Sequence, residues 1–354
     1  ADAGATVLHG TGRLAGPGVV EVTAPDGSVS TFRASRGVVL NPGTRPARLP
    51  IEGLADTPYW TNREVVQVTD LPGSLTVIGG GPIGAEITQV MARFGVRVTL
   101  LEAGPRILGP LEPEASSVVA DALLADGVRV MAGVEIGSVT HTDGTFTVTL
   151  GDGQVVHSDR LLVAAGRTPN LDDVGLETVG LDPTARTIEV DERLRAGEGL
   201  WAIGDVTGHG AFTHVSMYQS TIALRDVLGE DGPPASYHAL PHVTFTDPEA
   251  GGVGLTEQQA RDRGLSVRVG TTPLEQSSRG WLHGPGGAGV IKVVEDADRG
   301  VLVGATVVGP AGGESLGHLA LAVHAEVPVA TLRTMIYAYP TFHRAIESAL
   351  DDLS

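Results

Sequence analysis

Residues 75–84 read Leu75-Thr76-Val77-Ile78-Gly79-Gly80-Gly81-Pro82-Ile83-Gly84, and their reading decides the fold. The first four form a short, largely apolar run of the kind buried in a parallel sheet. The rest fits Gly-x-Gly-x-x-Gly, a weak signal alone and a strong one between a strand and a helix. The spacing predicts a helix from about Ile83 to Phe94, so the turn joins a strand to a helix N-terminus. There Gly79 permits the tight turn, Gly81 the approach of a pyrophosphate to the backbone, and Gly84 close helix–strand packing. The helix start adds free N–H groups and partial positive charge, and Pro82 is tolerated in a first turn that has no use for its N–H.

Outward from this turn, Arg97–Leu101 reads as the next strand, Pro113–Asp126 as a helix and Val128–Met131 as a further strand. Strand–helix–strand–helix–strand implies right-handed crossovers and a doubly wound parallel sheet. Glu102 lies 18 residues after Gly84, at the end of the second strand. A carboxylate there hydrogen-bonds the adenosine ribose and repels a 2′-phosphate, which predicts NAD(H) over NADP(H). The alternative is a plain glycine-rich turn with a solvated Glu. Residues 133–163 return to β spacing with Asp-Gly turns, and Leu161–Ala165 closes the unit. Upstream, Thr6–His9, Val19–Thr23 and Val38–Leu40 read as an antiparallel meander. Downstream, Leu200–Ile203 is a strand and Val215–Leu228 a helix, Gly232-Pro233-Pro234 is a linker, and 239–354 is an α+β segment.

Composition excludes several function classes. The 354 residues hold 24 Lys+Arg against 42 Asp+Glu, a net charge of −18, which argues against a nucleic-acid partner. Only one Lys occurs, Lys292; the other 23 positive charges are Arg. Aromatics make up 4%, too few for base-stacking platforms. With no Cys, the chain itself has no disulfide, thiolate metal site or thiol nucleophile. No metal-ligand spacing appears among the His and acidic residues, and no apolar stretch approaches the ~18 residues of a membrane span.

Six stretches together resemble the FAD-dependent pyridine nucleotide-disulfide oxidoreductases, the group of lipoamide dehydrogenase and mercuric reductase. They are Gly79–Glu86; Val98–Glu102 with Arg106; Ala165-Gly166-Arg167-Thr168-Pro169-Asn170; Leu200–Asp205; Val243–Glu249 with Val253–Glu257; and Gly304–Gly309. Their order matches the family over nearly the whole chain. The resemblance implies an α/β fold: a doubly wound, Rossmann-like NAD domain inserted in a truncated FAD domain, then a C-terminal α+β dimerisation domain. The implied segments are 1–57 (remnant of the FAD domain), 58–171 (NAD domain), 172–238 (second FAD segment) and 239–354 (dimerisation). It places NAD on Gly79, Gly81, Gly84 and Glu102, with Glu86 and Gly166 near the nicotinamide. It places FAD on Asp205 and on the helix beginning near Val215, whose dipole would stabilise anionic reduced flavin. Asp205 also reads as an ordinary turn-forming Asp. A cytoplasmic homodimer with FAD and NAD(H) follows.

Two departures qualify this. The family's N-terminal piece, with its FAD-binding glycine motif, first strand and redox Cys pair, is missing, and residues 1–50 resemble the end of its first FAD segment. The expectation is a fragment that binds FAD poorly as it stands. Second, disulfide-reducing members carry a His followed by Pro-Thr, with a Glu five residues after that His. Here Tyr339-Pro340-Thr341 and Arg344 occupy these places, while His343 and Glu347 are out of register. A phenol is a poor general base at neutral pH but donates a proton or hydrogen bond. Tyr339 is therefore either a proton donor or an interface side chain. The leading expectation is hydride transfer from NADH via FAD to a small-molecule acceptor, diaphorase- or quinone-reductase-like. The alternatives are a disulfide reductase such as dihydrolipoamide dehydrogenase, with its Cys pair in the missing N-terminus, and a non-catalytic NAD-binding dimerisation module.

Overall fold

The computed structural model of the chain describes residues 4–354, so the first three residues of the 1–57 segment lie outside the described residues. The chain divides into two compact units, one of residues up to Ala47 with Arg167–Tyr237 and one of Arg48–Gly166 with His238–Ser354.

The second unit holds the decisive stretch. Ser74–Ile78 is a fully buried strand in a four-stranded parallel sheet ordered Arg160–Val163, Ser74–Ile78, Arg97–Glu102, Arg129–Ala132. Alternate residues of these strands enter two different cores. Leu75, Val77, Leu100 and Leu162 pack under the helices Pro82–Arg93 and Pro113–Ala125 with Ala85, Val119 and Leu123. Ile78, Leu101, Leu161 and Val163 pack on the other face with Phe146, Val148 and Leu150. Burial of both faces is why Ser74–Ile78 shows no polar alternation. The second face is covered by the antiparallel meander Ile136–Thr142, Thr145–Leu150, Val155–Ser158 rather than by helices.

Strand order reverses between Ser74–Ile78 and Arg160–Val163. At such a switch point the strand ends part and leave a crevice outside their carboxyl ends. The glycine turn begins there.

The rest of this unit is a five-stranded antiparallel sheet ordered Pro241–Thr244, Glu249–Gly254, Val301–Gly309, Val290–Asp296, Val267–Pro273, with Gly312–His324 packed on it. Lys292, 4% exposed on the strand Val290–Asp296, ties this sheet to the start of the helix Pro113–Ala125. Its Nζ lies 3.1 Å from Glu112, 2.9 Å from Glu114 and 2.9 Å from Glu257. Burial alone would favour the neutral amine, but hydrogen bonds to Glu257, Glu114 and Glu112 raise its pKa and keep it charged. A buried ammonium held by three carboxylates is a costly arrangement to break from one side.

The first unit corrects the N-terminal meander. Its strands are Thr11–Gly16, Val19–Thr23 and Val29–Arg33, and Thr6–His9 forms no strand. The turn at Asp26, whose Oδ1 accepts from Ser28 N at 2.9 Å, sends the chain straight back into Val29–Arg33. That strand escapes a polarity reading because all five of its residues are exposed. Val38–Leu40 instead runs parallel to Leu200–Ala202, as its unbroken apolar character suits. The helix Thr213–Leu228 is anchored by Asp226, which accepts from Arg195 at 2.6 Å and from Trp201 Nε1 at 2.9 Å.

Candidate functional site

Three sets of residues carry the predicted chemistry, and each is formed differently.

In the glycine turn, the three glycines divide the work. Gly79 has φ +108, and a Cβ there would fall 2.8 Å from the Ala164 backbone. At Gly84 a Cβ would lie 1.8 Å from the Gly79 carbonyl oxygen, so helix and turn close only around hydrogen. Gly81 differs: a Cβ there would meet nothing within 4 Å. It borders open space, as a position kept bare for a ligand rather than for packing does. Ala85 N donates to Gly81 O at 2.9 Å, so the helical amides before Ala85 have no intrahelical partner. Together the open face and these amides fit a pyrophosphate.

Glu102 ends its strand with both carboxylate oxygens engaged, Oε2 accepting from Gly80 N and Oε1 from Gly104 N, each at 2.6 Å. The strand end thus holds an anion beside the glycine turn. Arg106, the nearby cation in sequence, donates to the carbonyls of Gly109 and Leu111 at 2.8 and 3.0 Å. It is committed to its own loop. Glu86 accepts from Phe245 N at 2.8 Å. One turn on, Gln89 accepts from Asp247 N at 2.7 Å and donates to Asp247 O at 2.8 Å, and Arg93 pairs with the Asp247 carboxylate at 2.7 Å. These contacts stitch the helix Pro82–Arg93 to the Phe245–Asp247 stretch. Sequence reasoning quoted that stretch without seeing that Gln89 and Arg93 were its partners. Gly166, with φ +94, ends this unit of the chain.

In the other unit, Asp205 follows the strand Leu200–Ala202, and its side chain is 16% exposed. Thr44 Oγ1 donates to its Oδ2 at 2.6 Å, and the Arg167 guanidinium lies 3.3 Å away. Gln219, fully buried, accepts from Gly204 N at 2.6 Å and donates to Thr207 Oγ1 at 2.9 Å and Tyr237 OH at 2.8 Å. It thereby locks the turn that presents Asp205. The helix Thr213–Leu228 starts two residues before Val215, without a side-chain cap, and the Val215 side chain is 2% exposed. A carboxylate at a strand end and an uncapped helix start fit the polar linker of a dinucleotide cofactor. The sequence assigns no role to Thr44, Gln219 or Arg167, the last within a stretch that carries the resemblance, because only the fold brings these positions to one turn.

The third set lies near the C-terminus. Tyr339 is 68% exposed, and the Arg344 guanidinium sits over its ring, 5.7 Å from the centroid. Arg344 also pairs with Glu347 at 2.9 Å and donates to Tyr337 O at 3.2 Å. His343 stacks on His318, with ring centroids 4.4 Å apart, while Glu347 pairs with Arg344. Burial, then the neighbouring His318, push the His343 pKa below the usual histidine range. Burial raises the pKa of Tyr337. Among the described residues there is thus no His–carboxylate ion pair at this turn.

Comparison with known proteins places this geometry. Residues 3–220 match the family model described as pyridine nucleotide-disulphide oxidoreductase, and 240–350 match that family's dimerisation domain. The chain belongs to this family. It is 32% identical to the dihydrolipoyl dehydrogenase of Thermus scotoductus over 98% of its own length and 75% of that protein's. It is 32% identical to the mercuric reductase of Acidithiobacillus ferrooxidans, over 97% of this chain and 62% of that one. Among solved structures, LpdA of Mycobacterium tuberculosis superposes with a TM-score of 0.88 at 28% identity, covering 99% of this chain and 78% of that one. The HOCl-induced flavoprotein disulfide reductase RclA of Escherichia coli gives 0.87 at 26% identity, covering 98% and 79%. The α/β class and the C-terminal dimerisation domain are therefore those of the pyridine nucleotide-disulphide oxidoreductases. The chain is a flavin-dependent oxidoreductase whose cofactors are FAD and NAD(H), and its dimerisation domain supports a homodimer. Among the described residues no helix is long and apolar enough to cross a membrane, and no cluster of three or more His, Cys, Asp or Glu is arranged to hold a metal ion.

Proposed function

We propose that this enzyme takes reducing equivalents from NADH and delivers them to a small-molecule acceptor such as a quinone rather than to a dithiol–disulfide pair. It would act as a cytoplasmic homodimer. When bound, NADH supplies a hydride and FAD relays its electrons. The chain's own residues bind, orient and move protons. Gly79, Gly81 and Gly84 hold the NAD pyrophosphate, and Glu102 holds the ribose hydroxyls and excludes a 2′-phosphate. Glu86 and Gly166 border the nicotinamide. Asp205, oriented by Thr44 and Arg167, takes the polar linker of FAD. Val215 contributes by its place in the first turn of its helix, since its side chain is buried. The segment limits at 57, 171 and 238 belong to the same proposal, supported by the family matches on either side of 238.

The observation that carries the choice of acceptor is Tyr339 with Arg344 in the places where dithiol-handling relatives carry His and Glu. Thiol chemistry needs a base near neutral pH, oriented by a carboxylate. A phenol is a proton donor rather than a base at neutral pH, and the Arg344 guanidinium lies over the ring of Tyr339. A half-reduced oxygen acceptor needs a proton donor and gains nothing from a thiol base. The names of the relatives favour the second reading, dithiol exchange with the redox Cys pair on another stretch of the protein. Turnover decides between them. The protein as encoded in full, supplied with FAD, is assayed with NADH against a water-soluble quinone and against lipoamide. The quinone is expected to be reduced and lipoamide not. Faster lipoamide reduction would overturn the proposal.

A further inference from the structure

The short helix Ser278–His283 and the turn after Pro340 enclose a polar basin of about 190 Å3. Its lining includes Ser278, Arg279, Thr341, Arg344, Glu347 and Ser348. Two arginines and one glutamate thus line it, on a chain whose net charge is −18. The carboxylate, Glu347, is already engaged by Arg344 at 2.9 Å. Among the described residues Arg279 has no carboxylate partner, although acidic residues outnumber basic ones 42 to 24.

Both cations are held in place before any ligand arrives. The Arg279 guanidinium lies over the Phe342 ring, 5.5 Å from its centroid, and Arg344 lies 5.7 Å from that of Tyr339. Such stacking leaves the Arg279 fork's N–H groups free at its edge, while Arg344 already spends its two terminal nitrogens on Tyr337 O and Glu347 and keeps its remaining N–H groups. The Thr341 hydroxyl donates to Ala338 O at 2.7 Å and is occupied. The hydroxyls of Ser278 and Ser348 have no hydrogen-bond partner among the described residues and remain available as donors. Preformed guanidinium donors with added hydroxyls suit a group with several strong acceptor oxygens. A phosphate-type oxyanion offers three or four such oxygens in different directions, whereas a carboxylate offers two in one plane.

We propose that this basin is a binding site for a phosphate-type oxyanion, free or as the phosphoryl end of a small molecule. Arg279 and Arg344 are its cations, and Ser278 and Ser348 its hydroxyl donors. The site is distinct from the glycine turn; it shares Arg344 with the turn of Tyr339 but rests on no choice of acceptor.

Calorimetric titration tests this on the full chain, saturated with NAD so that the amides of the glycine turn are occupied. The probes are inorganic phosphate and phenyl phosphate at low ionic strength. Arg279→Ala is expected to weaken binding about ten-fold or more, the scale of a lost charge-assisted hydrogen bond. Arg279→Lys is expected to fall between it and the parent. Glu347→Gln removes the one acid and is expected to tighten binding about three-fold. Arg279 is exposed, and an unchanged unfolding temperature shows that its variants fold. Equal affinity for the two probes supports the site with the free ion as occupant, and tighter phenyl phosphate supports it with an organic phosphate. Absence of saturable binding by either probe, or binding unchanged in Arg279→Ala and Glu347→Gln, overturns it.

Discussion

The glycine turn at 79–84 and the tyrosine turn at 337–344 belong to the same unit of the chain and solve opposite problems. The first is built from backbone. Its amides and its missing side chains make the site, so its chemistry is fixed by where a Cβ cannot go or must not go. The second is built from side chains placed on a turn, and a few exchanges suffice to change its chemistry. By the function proposed above, Tyr339 and Arg344 would leave the scaffold of the pyridine nucleotide-disulphide oxidoreductases intact while removing the base from the turn. Backbone sites preserve a cofactor across a family, and side-chain sites let its members diverge in what they reduce.

Four measurements break or sharpen this contrast. The largest expected effect is at the tyrosine turn. Tyr339→Phe keeps the ring for Arg344 and removes the proton, so quinone turnover is expected to fall about 100-fold, the usual scale of a lost general acid. The KM for NADH is expected to stay constant. Full activity on every acceptor would leave Tyr339 a packing residue.

Next is Gly84→Ala, whose methyl would lie 1.8 Å from Gly79 O. The backbone must shift at a cost of about 2–3 kcal/mol, and NADH affinity is expected to fall about 30-fold or more with it. Gly81→Ala, with open space around the new methyl, should keep the unfolding temperature and weaken only NADH. Equal unfolding temperatures for the two variants would show that the glycines do not divide the work as described.

Third, Glu102→Ala is expected to narrow the preference for NADH over NADPH about ten-fold, as loss of a charged hydrogen bond and of like-charge repulsion implies. The ratio of the two kcat/KM values reads this directly, and an unchanged ratio removes Glu102 from coenzyme choice.

The smallest effect concerns His343. Its folded pKa is lowered, first by burial and then by His318. The unfolded chain, near the ordinary value of about 6.5, therefore takes up a proton where the folded chain does not. Stability is full above that value and declines as pH falls below it toward the folded pKa. The unfolding temperature is expected to drop between pH 7.5 and pH 5.5, and less so in His343→Gln.

Much of the first site was legible because it follows from local rules. The run Leu75–Ile78, the spacing of Gly79, Gly81 and Gly84, and the acid at Glu102 each have a meaning within about thirty residues of chain. The helix over Pro82–Arg93 and the strand Arg97–Glu102 appear where that spacing predicts them. The exposed strand Val29–Arg33 was missed because it buries nothing, so polarity carries no signal for it. Val38–Leu40 was given the wrong neighbours because pairing partners far along the chain leave no local mark. Its partner, Leu200–Ala202, lies some 160 residues away.

The sequence alone thus determined the fold class and pointed to the glycine turn and to Tyr339 and Arg344 as departures from the family pattern, since each rests on residue type and short spacing. The tertiary structure decided what holds each charged group. It set Thr44 and Arg167 on Asp205, three carboxylates on Lys292, and Arg344 over Tyr339, and among the described residues it left Arg279 without an acid. Coulomb and hydrogen-bond partners act over a few ångströms of space, and distance along the chain does not reveal which groups come that close.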